Sequence, residues 1–569
     1  MSGVFGVLMK SNKKSFIQKN ILMFLENKTN DFENKIALAT KTKYGWREFT
    51  YRGIGLLSRK IAYWLINEIK INTSDRIAIL SESKPEFGAC FFATVLSGAV
   101  FTPLDVKLTE HELTSILSDC TPRVLFASNA YFKTAKELQE NLGFIEHVVL
   151  IDNTAEAENY LSIYNFENKY DTKFRRRNLR SGAILIYTSG TTGAAKGVEI
   201  SYLNMITQIE SLEWVRDVVF PDYGKNDISV LSILPMNHLF ELTVGFSLFL
   251  SWGLSIYYTQ SLKPKDILSI MREKKIRFMI VVPAFLKLLK TSIENTIKNS
   301  SPAKRTMFKV AYFISGFIPA TKIKRLLFKN IHDAFGGNFT GCITGGAPLD
   351  ISVGKFFERI GIEVYNGYGL SEASPVVSVN CTNRKNLASV GKPLKCFEAV
   401  IDKSTGELLL RGLSVMKGYY NKPEMTSEVI DSDGWLHTGD IGRLDKDNYL
   451  YITGRIKSMI VLSGGKKVFP EEVEAALEQS DKFKEICVFG AKNNKNDNSE
   501  DVCVVVVPSD EIAALNNVSD IIRAEVKLQS EKLAPYKRPI NVYILNEPLP
   551  RTTTRKVKRN KVKELVGIN

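Results

Sequence analysis

Thr188, Ser189, Thr191 and Thr192, interleaved with Gly190 and Gly193 and followed by Lys196, gather hydroxyls, unhindered backbone and a cation in one short run. That is equipment for holding phosphate oxygens, because amide N–H groups and hydroxyls donate hydrogen bonds to them and an ammonium adds charge. The run from Tyr187 to Gly197 follows the β-branched stretch Ile184 to Tyr187 and precedes a segment that Ser201 is suited to cap. It therefore reads as a strand–loop–helix phosphate site. A Walker A loop needs Gly before its Lys and Ser or Thr after it, whereas Lys196 stands between Ala195 and Gly197. A flexible surface turn rich in Gly and Thr has the same composition.

Four further runs carry residue types suited to a nucleotide. Gly345-Gly346-Ala347-Pro348 lets a ligand approach backbone closely. The run Tyr365-Asn366-Gly367-Tyr368-Gly369-Leu370-Ser371-Glu372 offers an aromatic face, a hydroxyl and a hard carboxylate. Trp435 to Asp440 ends on a carboxylate able to accept two hydroxyls, and Gly454-Arg455-Ile456-Lys457 supplies cations. Each alone is also an ordinary turn, and Asp440 alone an ordinary cap. Near the C-terminus, Leu549 to Lys556 opens a basic tail in which Arg551, Arg555, Lys556, Lys558, Arg559, Lys561 and Lys563 crowd together.

These runs need elements to position them. Short apolar strands at Ile77 to Leu80, Val124 to Ala127, Val148 to Ile151 and Ile184 to Tyr187 alternate with amphipathic stretches of helical length, which argues for α/β layers with parallel strands. The basic segment Lys169 to Arg180 reads as a linker. After Gly406 the texture changes to short strands and turns, and after Lys457 to a compact stretch with its own strands at Glu485 to Phe489 and Val502 to Val507. Asn493 to Ser499 reads as a surface loop. At 569 residues, the chain exceeds what one core supports.

The order and spacing of these runs closely resemble the adenylate-forming, AMP-binding superfamily, with the fatty acyl-CoA synthetases of bacteria among its members. The resemblance covers almost the whole chain. It implies an α/β fold, with a large N-terminal domain of layered sheets and helices over residues 1–456 and a small mobile α+β C-terminal domain over 457–569. It also implies that a carboxylic acid attacks ATP to give acyl-AMP and pyrophosphate, and that coenzyme A then takes the acyl group. By resemblance, Thr188 to Gly193 and Lys196 grip the departing pyrophosphate, and Gly345 to Pro348 wall the adenine and acyl sites. Asn366, Gly367 and Gly369 complete the pocket in which Tyr368 stacks on adenine. Ser371 meets the α-phosphate, Glu372 and Thr188 hold Mg2+, and Asp440 and Arg455 hold the ribose. Lys457 is the hinge, and Lys556 bridges carboxylate and α-phosphate. The motif usually has Gly before that Lys; Arg555 stands there instead, which leaves the loop shape open.

Leu234-Pro235-Met236-Asn237-His238-Leu239-Phe240-Glu241 resembles the acyl-pocket segment of long-chain members, with His238 as a wall or gate residue, and implies a medium- or long-chain fatty acid. A histidine beside an apolar run is also commonly a hydrogen-bonded core residue. An acyl carrier protein is the alternative acceptor, and the basic tail suits it. Few residues follow Lys556, which disfavours a peptide-synthetase module.

Composition bounds the rest. Seven cysteines form no CxxC pair and five histidines lie far apart, so a transition-metal site has no support and reduced cytosolic thiols are expected. The N-terminal apolar stretch is too short for a secretory signal, and Leu242 to Tyr258 falls short of a membrane span and reads as buried core. A formal charge of +15 and a pI near 9.2 attract polyanions. No zinc knuckle, aromatic RNA-binding motif or recognition helix accompanies it, so nucleic acid is not expected as a partner. From Asn295 to His332 no acidic residue occurs, while Lys298, Lys304, Arg305, Lys309, Lys322, Lys324, Arg325 and Lys329 alternate with apolar clusters such as Phe313, Ile314, Phe317 and Ile318. That pattern suits peripheral contact with an anionic membrane at the inner face, or simply solvated helix faces.

Overall fold

The structure, a computed structural model, describes residues 31–43, 45–154, 158–171, 175, 177–189, 195–225, 227–259, 261–381, 386–463, 466–492, 499–551 and 557–568. Two large sheets dominate. The first has seven strands, in spatial order Gly418–Tyr419, Ala195–Ser201, Gly182–Ser189, Val100–Leu104, Arg76–Leu80, Val124–Ala127 and His147–Leu150. The last five run parallel, as their β-branched cores and intervening helices predict, while the first two are antiparallel additions at one edge.

The second sheet has nine strands, in the order Lys392–Pro393, Val376–Asn380, Glu363–Gly369, Gly341–Thr344, Phe278–Val281, Ser229–Ser232, Ser255–Tyr258, Ile36–Thr42 and Gly45–Thr50. From Glu363–Gly369 to Ile36–Thr42 every pairing is parallel. Helix Pro85–Ser97 lies between the sheets. Every residue of it is buried, because its sequence is apolar all round, with Pro at its first turn and the left-handed Gly98 ending it. Phe87 and Phe91 meet Phe101 of the first sheet, and Phe91 also meets Phe246 beside the second. Gly88 is the point of closest approach: a Cβ there would sit 2.6 Å from the Phe246 ring and 3.1 Å from Leu38.

A four-stranded antiparallel sheet, Phe397–Ile401, Glu407–Gly412, Leu436–Leu444 and Leu450–Arg455, follows. Beyond it stands a smaller C-terminal domain. Its three-stranded sheet of Phe483–Lys492, Glu500–Pro508 and Asn541–Ile544 is flanked by helices Pro470–Leu477, Val518–Ser530 and Arg559–Leu565. Its two cores draw their buried residues only from Ile460 onward.

The segment before Gly182 is irregular, as its polar composition predicts, but it is docked: Arg177 donates to Gly98 O at 3.2 Å and Arg175 to Ile71 O. The apolar run after Leu242 is buried, in a π-helix Glu241–Leu248 and strand Ser255–Tyr258. No helix among the described residues is long and apolar enough to cross a membrane. The stretch Met1 to Lys14 lies outside the described residues, as does Asn493 to Asn498.

Candidate active site

Parallel sheets bind ligands beyond the carboxyl ends of their strands. Three strands of the nine-stranded sheet end there in the runs singled out above: Ser229–Ser232 leads to His238, Gly341–Thr344 to Gly345, and Glu363–Gly369 to Ser371 and Glu372. Thr344 and Asn366 pair across the last two. Both are buried, and neither Thr344 Oγ1 nor Asn366 Oδ1 has a hydrogen-bond partner among the described residues. Unspent polar capacity at a glycine-lined strand end fits a ligand rich in hydrogen-bonding groups, such as a nucleotide. Gly346 has a φ of +80° and nothing within 4 Å of where its Cβ would stand; it is exposed, with Ala347 half-buried and Pro348 exposed beside it.

The phosphate loop departs from expectation in one respect. Gly182–Ser189 returns directly as the antiparallel strand Ala195–Ser201, with Thr188 opposite Lys196, so the loop tips a hairpin. Ser201 does cap a helix, Tyr202–Val219, reciprocally with Asn204, but that helix starts a full strand later. The helix N-terminus is thus separated from the run by the strand Ala195–Ser201, so the helix does not start directly after the run as a strand–loop–helix site requires. At the loop's base Tyr187 donates to Asp119 at 2.5 Å. Gly190, Thr191, Thr192 and Gly193 lie outside the described residues, and Ser189 is described only in its backbone.

Lys196 is joined to Glu372 through Tyr419, a residue the sequence reading missed. The Tyr419 hydroxyl donates to Glu372 Oε1 at 3.0 Å, and the Lys196 ammonium lies 5.2 Å from the centre of its ring. Burial and then the Glu372 charge push the Tyr419 phenol well above its ordinary range, so it remains a donor. Tyr419 reaches this place because Gly418–Tyr419 pairs with Glu199 and Val198 at the sheet edge, while Met416 N–H bonds Glu372 O at 2.8 Å. Among the described residues no three His, Cys, Asp or Glu converge to hold an ion. One carboxylate beside a phosphate loop fits Mg2+, which keeps most of its waters and binds through one or two carboxylates and substrate phosphates.

Asp440 is 2% exposed. Oδ1 accepts from Arg455 Nε at 2.6 Å and Oδ2 from the Tyr368 hydroxyl at 2.5 Å. Adjacent strands impose the pairing, since Asp440 and Arg455 are register partners. Burial opposes the Arg455 charge, but the Asp440 carboxylate outweighs it and holds the guanidinium above its usual range. A carboxylate has about four acceptor positions, so this one retains capacity for further hydroxyls.

On the other side of Gly345 the material is apolar. A Cβ on Gly345 would lie 3.8 Å from Phe240 Cζ, which brings the Leu234-to-Glu241 run against the glycine pair. His238 is half-buried one turn before the π-helix. Glu241 is fully buried: Oε1 accepts from the Ser232 hydroxyl at 2.6 Å, and burial pushes the carboxyl up to about 8, so it is neutral at pH 7.

Comparison with known proteins gives the family. The family model described as AMP-binding enzyme matches residues 25–420, and that of the AMP-binding enzyme C-terminal domain matches 472–556. The chain belongs to the AMP-binding enzyme family. It is similar to long-chain-fatty-acid–CoA ligase FadD15 of Mycobacterium bovis, 28% identical over 466 residues, 78% of this chain and 76% of that one. It is also similar to the long-chain-fatty-acid–CoA ligase of Bacillus subtilis, 27% identical over 96% of this chain and 94% of that one. The crystal structure of ATP-bound MatB from Rhodopseudomonas palustris shares the fold, with a TM-score of 0.76 and 24% identity over 96% of this chain and 98% of that one.

In this AMP-binding enzyme the C-terminal domain meets the large one through both apolar and charged contacts. Phe469 packs over Gly454, and two solvent-exposed ion pairs, Lys287 to Glu478 at 3.9 Å and Lys298 to Glu511 at 3.2 Å, cross the contact. Exposed pairs contribute only about 0–1 kcal/mol each. Lys457 is exposed, in the short turn Ile456–Ser458 after Arg455. Thr552 to Lys556, with Arg555, lies outside the described residues. Its flanks Arg551 and Val557 pair as an antiparallel bridge, and Arg551 is anchored on Glu485 at 2.9 Å.

Proposed function

We propose that this adenylate-forming enzyme activates a medium- or long-chain fatty acid and transfers it to coenzyme A. The observation that carries the nucleotide half is Tyr419, which ties the loop cation Lys196 to the Glu372 carboxylate while the Tyr368–Asp440–Arg455 network lies next along the same strand end. In the first step a carboxylate oxygen bonds the α-phosphorus of ATP and the bond to the bridging oxygen breaks, releasing pyrophosphate. Lys196 with Thr188 to Gly193 holds the departing phosphates, Ser371 meets the α-phosphate, and Asp440 and Arg455 fix the ribose while Tyr368 stacks on adenine. Glu372 with Thr188 would hold Mg2+, which neutralises phosphate charge when bound. Such transfers depend on position and charge stabilisation.

In the second step the thiol sulfur attacks the acyl carbon and the bond to AMP breaks. The chain would divide at Lys457 into the domains 1–456 and 457–569, and the small domain would turn there to withdraw Lys556 and admit pantetheine. The solvent-exposed ion pairs that cross between it and the large domain support such a motion. For the acid, the support is the apolar material behind Gly345, a neutral Glu241 as the buried acid there, and the two similar ligases named for long-chain fatty acids.

The test is the substitution Lys556→Ala, with acid-dependent ATP–pyrophosphate exchange measured apart from thioester formation from preformed acyl-adenylate. Exchange is expected to fall by roughly 10²–10³ with thioester formation far less affected. Equal loss of both, or of neither, contradicts the role. Supplying an acyl carrier protein in place of coenzyme A tells the two acceptors apart.

A further inference from the structure

Helix Pro302–Ser315 is apolar on two opposite faces. At about 100° per residue, Phe308, Ala311, Tyr312 and Ser315 fall on one side, which packs on the core of the nine-stranded sheet. Val310 and Phe313 fall on the opposite side, with Met307 adjoining, and all three are exposed. Phe317, in the following turn, is 76% exposed and meets Phe313 edge-on at 5.3 Å. The next helix, Thr321–Leu327, adds Leu326, 73% exposed, and Ile323. Eight of the chain's exposed large apolar side chains thus fall between Met307 and Leu327. The fold needs only the inner face, so the outer one has no role in folding, and a contiguous apolar patch marks a docking surface.

Charge decides the occupant. Lys309 borders the outer face, Arg305 lies one turn before it on the same side, and Lys322 stands on the next helix; none of the three forms an ion pair with a described residue. No acidic residue interrupts Asn295 to His332. A second copy would bring like charges together, whereas an apolar face flanked by lysine and arginine complements acyl chains beneath anionic headgroups. We infer that this face docks on an anionic lipid bilayer, with Phe313, Phe317 and Leu326 entering the interface and Arg305, Lys309 and Lys322 meeting the headgroups. The inference does not depend on which acid is activated.

Sedimentation of the full chain with vesicles of phosphatidylcholine, with or without phosphatidylglycerol, tests it. Binding is expected to the mixed vesicles alone and to weaken with salt. The variant Arg305→Gln/Lys309→Gln/Lys322→Gln should lower the partition roughly a hundredfold, about fivefold per charge, and Phe313→Ser/Phe317→Ser about tenfold or more. Both variants should keep lipid-free ATP–pyrophosphate exchange, which certifies their fold. In Phe317→Trp the indole should emit as an exposed one in buffer and shift to the blue on mixed vesicles. The inference is overturned by absent or equal binding to the two vesicles, or by variants that bind as the parent does. It is overturned too by an indole already blue-shifted in buffer, or by Phe313→Ser/Phe317→Ser separating a dimer while vesicle binding is unchanged.

Discussion

On the polar side of the site stand Tyr368 with Asp440 and Arg455, and Glu372 with Tyr419, two groups held by hydrogen bonds of 2.5 to 3.0 Å and supplied by four separate stretches of chain. On the other stand Phe240, the π-helix Glu241–Leu248 and Phe246, with one buried carboxyl held by Ser232. The first side spends charge and directionality on a ligand whose groups are fixed. The second offers shape and apolar surface, and its acid is held neutral by burial, which outweighs the Ser232 hydrogen bond that favours the ionised form. A fixed polar ligand demands particular residues at particular places, whereas an apolar chain demands only volume.

The contrast can be broken by substitution. The largest effect is expected from Asp440→Ala, which leaves the buried Tyr368 hydroxyl and the Arg455 guanidinium without their acceptor. The KM for ATP should rise by about thirtyfold or more, with the KM for the acid little changed. An equal rise in both would mean that the two sides are not separable.

Glu241→Gln probes the apolar side. The Glu241 carboxyl, raised to about 8, stays protonated in the folded chain at pH values where the unfolded chain, near 4.5, has lost the proton. Stability from this group is complete below about 4.5 and declines as pH rises toward about 8, by at most about 1.4 kcal/mol per pH unit. Between pH 6 and 8 the Tm of Glu241→Gln should therefore fall less steeply than that of the parent, and an identical slope would remove the neutral-acid assignment. Tyr419→Phe should have the smallest effect, a roughly two- to tenfold rise in the KM for MgATP from one lost hydrogen bond. No change would detach Tyr419 from the phosphate side.

What the sequence made legible follows the same division. The four strands named in the seven-stranded sheet were found within about two residues, because β-branched runs bounded by polar residues have few other uses, while Val100–Leu104 and the parallel strands of the nine-stranded sheet were not named. Asp440, Arg455 and Glu372 could be singled out because fixed polar geometry leaves motifs. The hairpin after Ser189 was not visible, since Ala195-Lys196-Gly197 opens a strand with residues of low strand preference. Tyr419 was missed because its role depends on a two-residue edge strand that pairs across the sheet with Val198, far from Glu372 in sequence. The π-helix at Glu241 escaped for a third reason: an all-apolar run carries no periodicity to read.

Acid-dependent pyrophosphate release, measured over a panel of straight-chain acids from acetate to stearate with and without coenzyme A, tests the central claim most directly. Release should depend on ATP and rise with chain length into the medium or long range. With coenzyme A, AMP and thioester should accumulate in equal amounts. A preference for acetate or for a polar acid would contradict the reading of the apolar side, and release of ADP and phosphate in place of AMP and pyrophosphate would contradict the reading of the nucleotide side.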